Sequence, residues 1–237
     1  MENKNFMVYI PSYSRADTIT THKILEYYRV VVRKSQEEEY LQVIPKENLI
    51  AVEDEKIDNI VKVVNWIVEN SPEDVIAMID DDMNHLVYRL DYNEFFDDKY
   101  TVTSELERIA QIMVDLNIGY GAVDATCVPW NYDREFGFVG TSGGLRWFNK
   151  KAYKSKFEEE IGYCCDTDVV LQEVLKNRII LKPKYLCSHG KTDTNKGGNS
   201  SKSRQSMIDS FHRMKQKWGR YFDFDLKSNK IYVRVKR

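Results

Sequence analysis

The sequence predicts an α/β chain with a mostly parallel central sheet and helices on both faces, organised as one domain over residues 1–237. Three observations predict it. Short β-branched runs alternate with helix-period stretches through the first 80 residues, the pattern of strands joined by crossover helices. The polar ends of those runs, SYSR, RK, ED and DDD, fall at the carboxyl ends of the expected strands, the edge where such sheets bind ligands. With 42% hydrophobic residues, 237 residues suffice for one substantial core.

The elements follow in order. FMVYIP (6–11) reads as a buried strand stopped by Pro11 and the polar SYSRAD. Asp17 or Thr18 can cap a helix through TITTHKILEYY. RVVVRK is a second strand, SQEEEYLQVI a short helix and NLIAVED a third strand ending in acid. In KIDNIVKVVNWIVEN, helical spacing relates Ile57, Ile60, Val61, Val64, Ile67 and Val68. DVIAMIDDD is the fourth strand, and TSELERIAQIMVDLN an amphipathic helix. Residues 119–153 mix strands, glycine loops and aromatics. DTDVVLQEVLKNR is a helix with acids in its first turn, where the dipole favours them. IILKPKYLCSHG is a strand leading into a Gly/Ser/Lys loop. Met207, Phe211, Met214 and Trp218 mark one helix face ended by Gly219, and KIYVRVKR alternates as a final strand.

No run nears the roughly 18–20 apolar residues that cross a bilayer, and MENKNFMVYIPS lacks the pattern of a secretion signal. Cys127, Cys164, Cys165 and Cys187 form no CxxC pair and no disulfide-framework spacing. A reduced, cytoplasmic protein without membrane contact is expected. The formal charge of −2 is unevenly placed: residues 191–237 hold 13 of the 35 Lys and Arg but 4 of the 37 Asp and Glu. A basic end on an acidic body suits a polyanionic partner, although a solvated tail would have the same composition.

Four pieces could carry chemistry. Asp80 and Asp82 flank Asp81 in a D-x-D arrangement. Adjacent carboxylates repel unless a cation sits among them, and Mg²⁺ or Mn²⁺ suits carboxylate oxygens; a solvated acidic turn is the bland rival. The loop Pro11, Ser12, Tyr13 and Arg15 offers hydroxyls, an aromatic face and a guanidinium to a nucleotide, with Glu53 on the same sheet edge. Asp166 and Asp168 could accept a proton from an attacking hydroxyl, or simply cap a helix. His189 could add an imidazole ligand, and Lys191 and Lys196 in the following glycine-rich loop could close over phosphates.

Together these pieces resemble the GT-A nucleotide-sugar glycosyltransferases. IPSYSRADTITTHKIL, EEEYLQVIP and VIAMIDDDM look especially like the bacteriophage TET-associated, DNA-modifying glycosyltransferases, specifically over residues 6–90. The resemblance implies a GT-A, Rossmann-like fold and a divalent cation on Asp80 and Asp82, completed by His189. It implies a nucleotide-sugar donor, expected to be a UDP-sugar, touching Asp81 as well as the 11–15 loop, and a base at Asp166 or Asp168. Residues 6–90 would be the donor-binding half, 100–190 the acceptor and catalytic half, and 191–237 a basic loop, helix and terminal strand. Two departures stand out: Cys165 precedes Asp166 where an acidic pair is usual, and Val64 precedes Asn65 where phage relatives carry Arg.

The expected function is metal-dependent transfer of a hexosyl or pentosyl group to a hydroxyl, with a hydroxymethylated pyrimidine in double-stranded phage DNA as acceptor. Trp130, Gly143, Gly144, Arg146 and Trp147 would line the acceptor side, and Lys215, Lys217 and Arg220 would hold DNA phosphates. The same aromatics would stack on a sugar, so a glycan, lipid or protein acceptor is the alternative. A nucleic-acid-binding module without catalysis, its DDD only surface charge, is a further reading, and a metal-dependent nuclease ranks last.

Overall fold

The computed structural model describes residues 5–89, 94–124, 132–190 and 203–236. In chain order the strands are β1 (Phe6–Pro11), β2 (Arg29–Arg33), β3 (Leu49–Val52), β4 (Val75–Ile79), β5 (Met83–Tyr88), β6 (Glu94–Phe96), β7 (Tyr120–Ala122), β8 (Phe136–Gly137), β9 (Leu145–Asn149), β10 (Lys182–Pro183), β11 (Leu186–Gly190), β12 (Phe222–Asp225) and β13 (Lys230–Val233). The helices are α1 (Glu37–Tyr40), α2 (Ile60–Asn70), α3 (Lys99–Asp115), α4 (Cys165–Asn177) and α5 (Arg204–Trp218).

Among the described residues the main sheet has the order β3-β2-β1-β4-β9-β7. Strands β1 to β4 run parallel, and β9 is antiparallel to both its neighbours. Both faces are covered, which explains why the strands read as nearly continuous apolar runs. One core collects Val8, Ile10, Ala77, Ile79 and Trp147 against α3; the other collects Met78, Phe148 and Tyr120 against α2 and α4. The mostly parallel sheet with helices on both faces is therefore as the sequence predicts.

Three local expectations are corrected. Instead of a long helix after Asp17, only a 3-10 turn forms at Thr21–Ile24. The β-branched run TITT is a weak helix former, and the Thr20 and Thr21 amides donate to the Asp81 carbonyl (2.9 and 3.3 Å), drawing the chain around the end of β4. In α2, Ile60 is exposed and Val63 takes its place in the core. The terminal strand β13 pairs with β12, a partner the sequence did not signal. This hairpin and α5 close a third cluster of Ile161, Cys164, Leu171, Phe211, Met214 and Phe222. Cys164 and Cys165 are free thiols, but Cys187 is disulfide-bonded, against the expectation of four reduced cysteines. Among the described residues, no helix is long and apolar enough to cross a membrane.

Trp147 is also corrected as an acceptor contact. Its side chain is 0% exposed in the α3-side core, and its indole N–H donates to the Leu106 carbonyl at 3.1 Å. Trp147→Ala is expected to lower unfolding free energy by about 3–5 kcal/mol, read by urea denaturation. A loss below about 1 kcal/mol, smaller than large-to-small core changes give, would contradict a core role.

Candidate active site

The end of β4 is held by a chain of hydrogen bonds converging on the middle acid of the triplet. The Arg15 backbone N–H donates to the Tyr40 hydroxyl (3.0 Å), Tyr40 to Ser12 Oγ (2.6 Å), and Ser12 to Asp81 Oδ2 (2.5 Å). Arg15 Nη1 completes it at 2.6 Å from Asp81 Oδ1. Asp81 is buried, so its charge is committed to protein partners. Thr21 secures the backbone alongside: its hydroxyl donates to the Asp80 carbonyl (2.6 Å) and accepts from the Met83 N–H (2.9 Å).

Asp80 turns elsewhere, while Asp82 shares the Arg15 guanidinium with Asp81. Asp82 lies 3.6 Å from Arg15. Asp80 faces Arg146, whose register partner on β4 is Met78. Alternation along β9 sends Arg146 and Trp147 to opposite faces of the sheet, placing Arg146 on the α4 side. Its buried guanidinium lies 3.4 Å from Asp80 Oδ1 through Nη2 and donates through Nη1 to Asp166 Oδ1 at the start of α4. Asp80 keeps 44% and Asp166 37% of its side-chain surface open. Loss of water around the Asp80 carboxyl pushes it up to about 6; Arg146 opposes the rise, while Asp166, Asp82 and Asp81 add to it.

Asp80, Asp81, Asp82 and Asp166 carry four negative charges against the two guanidiniums of Arg15 and Arg146. The excess equals the charge of one divalent cation. No cluster of three or more candidate protein ligands occurs among the described residues. Small divalent cations are commonly bound by one or two carboxylates with substrate phosphates and water, and the carboxylates of Asp80 and Asp82 are oxygen donors of the kind such an ion takes. Strand β11 ends beside this pair: Gly190 registers with Met83 and His189 with His85.

Gly144 closes the floor. Its carbonyl accepts the Asp80 N–H at 3.0 Å, and a Cβ there would come 2.5 Å from Asp80 Oδ2. Gly143 donates to the Val123 carbonyl at 2.9 Å. Behind this loop, fully buried Lys182 donates to the Val123 carbonyl (3.3 Å) and the Thr141 carbonyl and pairs with Asp124 (2.9 Å). Against the cost of burial, Lys182 and Lys184 hold Asp124 well below the usual carboxylate range.

Pro11 ends β1, and exposed Tyr13 carries the Arg33 guanidinium 4.1 Å above its ring. Glu53 is exposed at the end of β3. Asn65 brackets Phe157, donating to its carbonyl (2.9 Å) and accepting its N–H (3.1 Å). Trp130, Lys191 and Lys196 lie outside the described residues.

Asp168 has no face on the cleft. It is 0% exposed, with its oxygens taken by Gln172 (2.6 Å), Trp218 (2.7 Å) and Lys217 (2.9 and 3.0 Å). Residues two apart on a helix point to different sides, so Asp166 and Asp168 cannot share one job. Of the expected DNA contacts, Lys217 also pairs with Glu158 (2.8 Å), Lys215 bonds the Phe222 carbonyl (2.9 Å), and Arg220 donates to the Tyr221 hydroxyl (3.0 Å). The bridging role of Arg146 and the part of Tyr40 were missed. A lone arginine within LRWF, an otherwise apolar strand, is the signal for a buried ion pair.

Residues 6–198 match the TET-associated glycosyltransferase family. No curated protein sequence matches the chain. Among solved structures, mannosyltransferase PcManGT from Pyrobaculum calidifontis, in complex with GDP-Man and Mn²⁺, superposes with a TM-score of 0.58 at 13% identity, over 90% of this chain and 64% of its own. S. aureus TarS 1-349 in complex with UDP-GlcNAc gives 0.57 at 13% identity, over 89% and 66%. The chain thus spans about two thirds of the length of these proteins. At such identity the likeness carries the fold, which is GT-A.

Because the folded-state value of Asp80 lies above the ordinary 3.8, the folded protein binds that proton more tightly than the unfolded chain does. Ionised Asp80 therefore costs stability above about pH 6, and the cost fades as pH falls toward 4. Asp80→Asn is expected to raise Tm at pH 8 in chelator, with the gain shrinking between pH 6 and 4. A gain of equal size at both ends of that range would rule out a charge origin.

Proposed function

The chain belongs to the TET-associated glycosyltransferase family, and from that premise we propose that it moves a sugar from a nucleotide-sugar donor to a hydroxyl on DNA, with a hydroxymethylated pyrimidine as the acceptor base. The observation that carries the reading is the cluster at the carboxyl edge of the sheet, where Asp80 of the D-x-D faces Asp166 across Arg146 and Asp82 lies against Arg15.

Each residue has a definite task in this reading. Asp80 and Asp82, with His189 as the further candidate ligand, would hold a Mn²⁺ or Mg²⁺ ion, whose positive charge would offset the charge developing on a departing diphosphate. Arg15 fixes Asp81, and with it the turn that aims the two outer carboxylates. Ser12 and Tyr13 border the donor pocket, and the exposed Tyr13 ring offers a surface for a nucleobase. Asp166 takes the proton of the attacking hydroxyl, while Arg146 fixes the direction of its carboxylate. Gly144 lets Asp80 sit against backbone where any side chain would collide. The GDP-Man with Mn²⁺ and the UDP-GlcNAc of the similar structures are in keeping with such a donor and ion.

For DNA the supporting surface differs from the one read in sequence. Lys230, Tyr232, Arg234 and Lys236 alternate as exposed residues along β13 and its extension, while Ile231, Val233 and Val235 face the protein. Exposed Arg220, Tyr221 and Lys227 lie in the same hairpin region. Cations interleaved with aromatic rings suit a phosphate backbone and unstacked bases.

The deciding experiment incubates the full chain with UDP-glucose, UDP-GlcNAc and GDP-mannose, with Mn²⁺ or chelator, on plain and hydroxymethylated double-stranded DNA. Mass spectrometry of the digested nucleosides then detects a sugar adduct that needs both metal and the hydroxymethyl group. An adduct on plain DNA, or one formed in chelator, would defeat the reading of acceptor or metal respectively.

Asp82→Asn is expected to abolish transfer and weaken Mn²⁺-dependent UDP or GDP binding by calorimetry. Asp166→Asn should abolish transfer while binding the nucleotide as before. Retained turnover in Asp166→Asn would mean that another group is the base. Replacing Lys227, Lys230 and Lys236 by Gln should weaken DNA binding and flatten log K against log salt by about one unit for each phosphate that these lysines neutralise. An unchanged slope would move the DNA to a different surface.

A further inference from the structure

We infer that the C-terminal helix α5 is a working part of the transfer site, with Asp168, Lys217 and Trp218 as positioning residues that lock the first turn of α4 and so aim Asp166. The inference rests on Asp166 being the base.

The start of α4 is poorly held by its own sequence. Cys164 in the N-cap position makes no side-chain cap, and the chain just before it bends at Gly162, with φ at +70°. The hold comes instead from α5. Ser210, fully buried at mid-helix, accepts the Cys164 N–H at 2.9 Å. At the far end of α5, the Trp218 indole N–H donates to Asp168 Oδ1 at 2.7 Å, and Lys217 lies 2.9 and 3.0 Å from its two oxygens. Lys217 also grips Glu158 at 2.8 Å, and Gln172 joins Asp168 to the Lys156 carbonyl. A carboxylate with no exposed surface persists only with charged or N–H partners around it. Here most of those partners arrive from 49 and 50 residues further along the chain.

The first turn of α4 is therefore clamped from two sides. Arg146 on β9 takes Asp166, and Lys217 with Trp218 take Asp168 on a different side of the helix. Loosening the second clamp lets the turn rotate or fray, and Asp166 then leaves the direction that Arg146 and the cleft require. Residues 203–236 lie beyond the 6–198 segment that matches the family, yet they complete the mounting of its proposed base. This assigns the basic tail a task besides any contact with DNA.

The test uses the full chain with the nucleotide sugar, among UDP-glucose, UDP-GlcNAc and GDP-mannose, that the wild type turns over on hydroxymethylated DNA. The variants are Trp218→Phe, which keeps the ring, Lys217→Met, which keeps the stem, and Lys217→Arg as the conservative partner. Assays run well below each variant's melting temperature. Trp218→Phe and Lys217→Met are expected to lower kcat by about 10- to 100-fold, with nucleotide Kd and acceptor KM within about twofold of wild type. Lys217→Arg should recover most of the lost rate. A purely structural role would lower Tm and leave kcat of the folded protein at the wild-type value, which would overturn the inference. So would a raised acceptor KM at constant kcat in Lys217→Met, which would make Lys217 a DNA contact. If Trp218→Phe fails to fold, Lys217→Met against Lys217→Arg decides alone. Asp166→Asn in parallel separates the two levels: an inactive Asp166→Asn beside fully active lock variants sinks only the lock, whereas an active Asp166→Asn sinks the base assignment beneath it.

Discussion

A single guanidinium decides whether this cleft can exist. Arg146 is buried on an antiparallel strand of an otherwise parallel sheet and reaches both the end of β4 and the start of α4. Without it, Asp80 and Asp166 would face each other across a crowded floor with nothing between them. Its removal would leave two half-exposed carboxylates repelling each other at the mouth of the site. The register of β9 matters because pairing Arg146 with Met78 brings this side chain to the α4 face, with Trp147 in the opposite core.

The second constraint divides labour within the acidic triplet. Asp81 is neutralised by Arg15 and hydrogen-bonded by Ser12, so it behaves as an anchor. Asp80 stays half-exposed beside Arg146, and Asp82 shares the Arg15 guanidinium at 3.6 Å. Loss of water, more than its acidic neighbours, raises the Asp80 carboxyl. Perturbed carboxyls of this sort cluster where a fold holds charge ready for a ligand.

Sequence revealed the frame because the frame is local. β-branched runs, helical spacing and polar strand ends are short-range signals, and they located Ser12, Arg15, Asp80, Asp81 and Asp82 on one edge. The helix expected after Asp17 did not form because two threonine amides close on the carbonyl of Asp81, which is remote in sequence. Arg146 and Trp147 could not be sorted from LRWF, since a strand buried on both faces loses the period-two pattern that would tell its sides apart. Asp166 and Asp168 were indistinguishable for a related reason: both suit a helix start, and only the partners brought by β9 and α5 separate them.

The basic tail shows how charge counted along a chain can mislead. Lys215 and Lys217 belong to the apparent excess after residue 190, yet they are engaged by Asp223, by Glu158 and by Asp168. A lysine that neutralises a fully buried carboxylate is unavailable to a phosphate, because leaving would strand that carboxylate without its counter-charge. Among the described residues an exposed row lies on the last hairpin, where alternation puts Lys230, Tyr232 and Lys236 outward over an apolar inner face, with Arg234 outward but paired to Asp223. The tail thus divides along its length. The helix looks inward to α4, the strand outward to solvent, and a substitution in one need not report on the other.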